Sequence, residues 1–227
     1  YMPKSLKLVY FHLPGRAESI RLALSIGEIP FEDVRLKKGQ WAPLKPTTPF
    51  GQLPVLFVDG QMLAQSRAIL RYVGHIAGLY PVDPWLAAKV DEVLDAAEDI
   101  KALLVSILRL KDADQALARE RLIASDLPQA MVRFETMVSG RSYIVGPRLT
   151  IADIELFCLV AAFHSGVLPG LGSECVKKYT SLHAHYLFVG RLEGVRKFYA
   201  GLSTEALEGL GKAGVSLKAY TPSPRVS

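Results

Sequence analysis

Leu53-Pro54-Val55-Leu56-Phe57-Val58-Asp59-Gly60-Gln61-Met62-Leu63-Ala64-Gln65-Ser66 is the stretch whose reading decides the fold. Pro54 to Val58 is a short run of apolar residues, the pattern of a buried strand. Asp59-Gly60 tolerates positive φ, so the chain turns back into Gln61 to Ala64 as a hairpin. Ile69, Leu70, Val73, Ile76 and Ala77 then mark one face of a helix that starts at Gln65-Ser66 and stops at Gly78. The Leu53-Pro54 bond joins a loop to a buried strand, a place where a cis proline fixes a tight turn.

Toward the amino terminus, Leu6 to Phe11 reads as a strand ending at the turn His12-Leu13-Pro14-Gly15. From Arg16 the period becomes helical, with Ile20, Ala23, Leu24 and Gly27 on one face, and Gly27 stands where a helix C′ glycine belongs. Phe31 to Leu36 is a more polar strand, expected at an edge. Lys37 to Pro49 carries several prolines and no period, and is expected to be a structured loop. Strand, helix, strand, loop, hairpin and helix make a small mixed sheet with helices packed on it.

Toward the carboxyl terminus, Leu79 to Trp85 contains two prolines and is the natural linker. Leu86, Val90, Val93, Leu94, Ala97, Leu104 and Leu108 trace one long amphipathic helix. A second pattern runs from about Gln115 to Val138, with Pro128 expected to kink or split it. Thr150-Ile151-Ala152-Asp153 opens the most apolar helix, with Thr150 and Asp153 in capping-box spacing. Weaker helices follow near 179–189 and 192–200. The expected organisation is an α/β domain over 1–78, a linker over 79–85, an all-α domain over 86–200 and a partly mobile tail over 201–227.

The 227 residues are half hydrophobic and 22% charged, enough for a sizeable core and incompatible with a disordered chain. Net charge is +5, and the basic residues are scattered, so no basic stripe for nucleic acid exists. The longest apolar run, Leu156 to Phe163, is far short of the ~20 residues that cross a bilayer. The first residues lack the apolar core of a secretory signal. Two cysteines, Cys158 and Cys175, are too few for a disulfide scaffold or zinc cluster, and a cytoplasmic location is expected.

Four features of the first 78 residues converge on one end of the expected sheet. Tyr10 ends the first strand, Arg16 opens the helix after it, Leu53-Pro54 precedes a strand, and Gln65-Ser66 begins a helix whose free N–H groups suit an anion. Ligands of open α/β sheets favour the carboxyl ends of strands, and such a cleft suits a small anionic peptide. Taken singly, Tyr10 reads as a core-edge aromatic and Ser66 as a helix cap.

The surrounding run changes that reading. Val9-Tyr10-Phe11, Gly15-Arg16-Ala17-Glu18, Trp41, Lys45-Pro46-Thr47-Thr48-Pro49-Phe50-Gly51-Gln52-Leu53-Pro54-Val55-Leu56 and Leu63-Ala64-Gln65-Ser66-Arg67-Ala68-Ile69 resemble the cytosolic glutathione transferases, and most of all their sigma class. The likeness is continuous over 5–78 and looser through Asp91 to Asp99 and Thr150 to Asp153. It implies a thioredoxin-like domain followed by an all-helical domain, a homodimer, and glutathione as co-substrate.

By that resemblance Tyr10 would activate the glutathione sulfur, with Arg16 in support. Trp41 and Lys45 would hold the glycine end. Gln52, Leu53 and cis-Pro54 would bind the cysteinyl part, Gln65 and Ser66 would take the γ-glutamyl carboxylate, and Asp99 of the partner subunit would meet the amino group. Gln52 stands where the family often has lysine, and His12-Leu13-Pro14 departs from the commoner turn. The absence of a serine after Tyr10, or of a cysteine near it, argues against the serine and cysteine branches.

Leu13, Ser106, Leu110 and Tyr220 are the expected wall for a hydrophobic electrophile. No metal is expected. His183 and His185, two apart on a helix, point to different sides, and a divalent cation between Asp95, Glu98 and Asp99 of two subunits at a dimer interface is the lesser alternative. The expected activity is conjugation of glutathione to hydrophobic electrophiles in detoxification. Its rivals are a prostaglandin-type isomerase, a hydroperoxide reductase, a crystallin-like or ligand-carrying protein without catalysis, and a module of a translation factor.

Overall fold

The computed structural model describes residues 2–164 and 170–202, which divide into two compact units. The first comprises residues 2–81 together with 191–202, and the second residues 82–190.

In the first unit a four-stranded sheet is built from β1 (Leu6–Phe11), β2 (Glu32–Leu36), β3 (Val55–Val58) and β4 (Gln61–Ala64), in the order β2-β1-β3-β4. β1 runs parallel to β2 and antiparallel to β3. The parallel pair needs a crossover. It is supplied by a 3-10 turn at Gly15–Ala17 and α1 (Glu18–Ile26), so the regular helix begins two residues later than Arg16. The period of two sends Val9, Leu36 and Val55 to one face, where Trp41, Leu53 and Phe57 pack on them. Leu8 and Leu56 go to the other face, and both are fully buried there.

The hairpin turn has the expected chemistry: Asp59 at φ 49° and Gly60 at φ 85° match a two-residue turn with two left-handed positions. The loop from Lys37 to Pro49 is more regular than its sequence indicates. It contains the single helical turn α2 (Trp41–Leu44) and a 3-10 turn at Lys45–Thr47, too short for a period to register. α3 (Ser66–Ile76) ends with Leu79 N–H on Gly74 C=O and Gly78 at φ 68°, a Schellman stop.

Gly27 plays a different part from the expected one. Its φ is −75°, and Glu28 takes the left-handed position at 52°. A β-carbon on Gly27 would fall 2.7 Å from Ala77 Cβ, so glycine is required by close approach and not by backbone conformation. α10 (Glu193–Ala200) belongs to this first unit, with Gly194 set directly against Ile26 of α1.

The second unit is helical. α4 (Pro84–Arg109) starts at Asp83, whose carboxylate accepts Leu86 N–H at 2.8 Å, with Pro84 in the first turn. The pattern read across 115–138 is split into α5 (Asp112–Arg121), a π-turn at Leu122–Asp126 and α6 (Leu127–Val138). The break falls just before Pro128, whose missing N–H cannot continue the ladder. α7 (Ile151–His164) is buried on nearly every side, and α8 (Glu174–Lys177) and α9 (Thr180–Gly190) complete the unit.

The capping box at α7 forms as expected: Ala152 N–H donates to Thr150 Oγ1 and Thr150 N–H to Asp153 Oδ2. Among the described residues no helix is long and apolar enough to cross a membrane.

Candidate active site

Strand register brings the site together. Val9 pairs with Val55 and Val55 with Ala64, so the next residues out, Tyr10, Pro54 and Gln65, share one end of the sheet. The Leu53-Pro54 bond is cis.

Tyr10 is 94% buried, and its hydroxyl oxygen accepts the backbone N–H of Arg16 at 3.2 Å. A phenol that accepts one bond still has its O–H to donate. Gly15, at φ 48°, lies under that hydroxyl. Phe11 packs against Tyr10 at 5.4 Å between centroids and meets Trp41 edge-on at 5.9 Å. Trp41 is thereby tied to the strand that carries Tyr10.

Lys45 is exposed, as is Gln52, and a β-carbon built on Gly51 would lie 3.5 Å from Lys45 Cε. Gln65 holds φ 73° and ψ 111°, outside the regions an L-residue prefers, and its C=O accepts Ile69 N–H at 2.9 Å. Ser66 follows as the first residue of α3, where unpaired N–H groups and the positive helix end favour a carboxylate. Tyr10, Arg16, Trp41, Lys45, Gln52, Leu53, Pro54, Gln65 and Ser66 all belong to the first unit.

Apart from Leu13, the other expected residues lie in the second unit or outside the described residues. Asp95 and Asp99 are exposed on α4 and Glu98 is half-buried. Ser106 is exposed, its hydroxyl donating back to Leu103 C=O at 2.7 Å, and Leu110 is exposed at the end of α4. Leu13 is exposed in the turn after β1. Tyr220 lies outside the described residues, as does the tail from 203. Among the described residues no three His, Cys, Asp or Glu side chains are grouped to hold a metal ion. His185 is occupied with Asp153, and His183 stacks on His164 at 5.5 Å, a ring whose pKa is lowered by burial and then by His183.

A buried cluster beside Tyr10 has no counterpart in the sequence reading. Arg21 of α1 is fully buried, with its guanidinium carbon 5.8 Å over the Tyr10 ring. It binds Glu18 at 3.2 Å and Asp33 at 3.0 Å, and Asp33 also binds Arg35 at 2.7 Å. The available signal was Arg21 between Ile20 and Leu22 on an otherwise apolar helix, three residues after a glutamate.

A mixed sheet with a cis proline at one end, a helix N-terminus beside it and a tyrosine at the next strand end define a thioredoxin-like ligand-binding domain joined to a helical unit. The family model for the glutathione S-transferase N-terminal domain matches residues 6–75, and that for the C-terminal domain residues 98–201. Glutathione S-transferase 1 of Ascaris suum is 37% identical over 180 residues, covering 76% of this chain and 87% of that protein. Human hematopoietic prostaglandin D synthase is 33% identical over 147 residues, covering 65% of this chain and 73% of that protein. The structure of prostaglandin synthase D of Nilaparvata lugens superposes with a TM-score of 0.81 at 30% identity, covering 88% of this chain and 99% of that one. The chain belongs to the glutathione S-transferase family. It is a transferase enzyme, and glutathione is its co-substrate.

Proposed function

We propose that this chain acts in the cytoplasm as a homodimeric, sigma-like transferase of the tyrosine type, joining the glutathione thiolate to hydrophobic electrophiles in detoxification. The observation that carries the tyrosine mechanism is the Arg16 N–H to Tyr10 hydroxyl bond, which leaves the phenolic O–H to donate to sulfur. In the reaction the glutathione thiol loses its proton to water. The sulfur lone pair forms the S–C bond, and the electrophile releases a leaving group with its electron pair or takes a proton at the adjacent carbon.

The energetics fit. A thiol with a pKa of ~8.5 is only a few per cent ionised at neutral pH. Lowering that by ~2 units needs about 2.7 kcal/mol of preference for the anion. One hydrogen bond to a charged group contributes ~1.5–3 kcal/mol, so the Tyr10 donor is nearly sufficient. Tyr10 donates and does not act as a base, and Arg16 and nearby dipoles supply the rest.

In the same reading Trp41, Lys45, Gln52, Leu53 and Pro54 seat the glycyl and cysteinyl parts of glutathione, and Gln65 and Ser66 take its γ-glutamyl carboxylate. Asp99 of the partner subunit meets the amino group, and Leu13, Ser106 and Leu110 are assigned to the electrophile. A second reading is favoured by the prostaglandin D synthases among the relatives: an isomerase in which glutathione is not consumed.

The test is the ultraviolet thiolate absorbance of bound glutathione against pH, for wild type and Tyr10→Phe. A titration well below the free thiol, lost in the variant, is expected. Binding without such a shift overturns the tyrosine mechanism. Product analysis with an electrophile and with a prostaglandin endoperoxide then separates conjugation from isomerisation.

A further inference from the structure

We infer that Arg21 is a positioning residue for the Tyr10 hydroxyl, acting through the turn that joins β1 to α1; the inference rests on Tyr10 being the group that meets the glutathione sulfur. Arg21 lies on the face of α1 turned toward the sheet and is fully buried. A lone guanidinium there would be strongly unfavourable. Glu18 and Asp33 answer it, and Arg35, the register partner of Tyr10 on β2, answers Asp33 in turn. Two cations and two carboxylates within hydrogen-bond reach largely cancel at any distance beyond the cluster. What the network delivers to Tyr10 is therefore placement, not field.

The placement is specific. Arg21 Nη1 donates to the carbonyls of Leu13 at 3.1 Å and Pro14 at 3.4 Å, the residues that turn the chain after β1. Two residues beyond Pro14, the Arg16 N–H donates to the Tyr10 hydroxyl. The same guanidinium lies over the Tyr10 ring. Arg21 thus touches the aromatic that accepts this bond and the turn that carries its donor.

A purely structural ion pair would need only the carboxylates. Here Nη1 reaches two backbone carbonyls as well as Glu18, while Nη2 is buried with no partner among the described residues. A guanidinium fork can serve carbonyl and carboxylate acceptors at once, which an ammonium cannot do in fixed geometry.

The test uses the full chain: wild type, Tyr10→Phe, Arg21→Gln, Arg21→Lys and Asp33→Asn. Each is titrated for the thiolate absorbance of bound glutathione, with kcat and KM measured against an activated aryl halide. Arg21→Gln is expected to raise the thiolate pKa by about one unit and to lower kcat about tenfold, with KM for glutathione changed less than about threefold. Arg21→Lys, keeping the charge without the fork, should fall between that variant and wild type. Asp33→Asn, which weakens the Nε anchor of Arg21 and the Arg35 pair but leaves the Nη1 bonds in place, should shift the same way by less.

Circular dichroism identifies folded variants. If Arg21→Gln does not fold, Arg21→Lys and Asp33→Asn carry the test, since Asp33 is part-exposed. Folded Arg21→Lys and Asp33→Asn that melt lower but keep the wild-type titration would overturn the inference and leave Arg21 a core ion pair. A wild type whose bound thiol titrates like the free one, or no different from Tyr10→Phe, overturns the Tyr10 reading and with it the role of Arg21. The two failures are thus distinct.

Discussion

A β-carbon placed on Gly15 would lie 2.6 Å from the Tyr10 hydroxyl oxygen and 2.7 Å from Leu13 Cδ1. The phenol is hemmed in by Phe11 and Arg21, so the hydroxyl itself would have to give way. Gly15→Ala also places an L-residue at φ 48°, at a cost of about 1 kcal/mol. We expect kcat/KM to fall at least about tenfold, since a displacement near 1 Å at a reacting group can cost 10² in rate. Gly27→Ala is the control. It meets Ala77 backbone and side chain far along α1, and should lower the melting temperature while leaving turnover per folded molecule unchanged.

Gln65 presents a separable case, because backbone and side chain can be altered independently. A non-glycine residue at φ 73°, ψ 111° carries about 1–3 kcal/mol of strain. Gln65→Gly removes the strain against ~0.5–1 kcal/mol of added unfolded-state entropy, so it should be more stable by about 1 kcal/mol. Gln65→Ala keeps the strain and should gain nothing. Both lose the amide and should raise KM for glutathione alike. Paired thermal melts and steady-state kinetics check both halves of the prediction.

These two residues also mark how far the sequence could be read. The hairpin at Asp59-Gly60, the strand alternation of Leu6 to Phe11 and the apolar length of α7 are encoded within a few neighbouring residues, and their periods announce them. The 3-10 entry to α1, the single turn of α2 and the positive φ of Gln65 are shorter than any period, and so were invisible to it. The Arg21 cluster escaped for another reason. Arginine is seldom buried without partners, and its partner Asp33 lies twelve residues away on the strand that follows the helix. Tyr10 stood out only through the run of residues around it; alone it is one more aromatic at a strand end.

The same limit applies to Asp153, whose capping role was legible from Thr150 but whose wider role was not. Its Oδ1 accepts Ile144 N–H at 2.8 Å and lies 2.9 Å from His185 Nε2 on α9, while Oδ2 serves Thr150 N–H. Asp153 is fully buried. In Asp153→Asn one acceptor oxygen becomes a donor facing another donor. The expected loss is about 3 kcal/mol in urea unfolding, against less for His185→Gln, which removes one bond from the rim of the set. If the two variants lose equally, the His185 link dominates and the cap contributes little.

Glu135 of α6 gives a prediction in pH. Its carboxylate accepts Ser181 N–H at 2.9 Å and Leu182 N–H at 2.6 Å, capping the first turn of α9 from a distant helix. Burial alone would raise its pKa, but the two backbone N–H bonds and the side chains of Ser181 and Thr180 outweigh that and hold it below the usual carboxylate value. A carboxyl whose folded pKa is depressed adds stability that is fully present above its unfolded pKa and is lost as pH falls through the folded one. Wild type should therefore lose part of its stability on acidification from about pH 5 downward. Glu135→Gln should cost about 1 kcal/mol at neutral pH, as the loss of a helix cap does, and should flatten that portion of the acid limb. Urea midpoints of both proteins across that range decide it: parallel curves would mean that the carboxylate charge contributes nothing to the cap, and convergence toward low pH would assign the difference to Glu135.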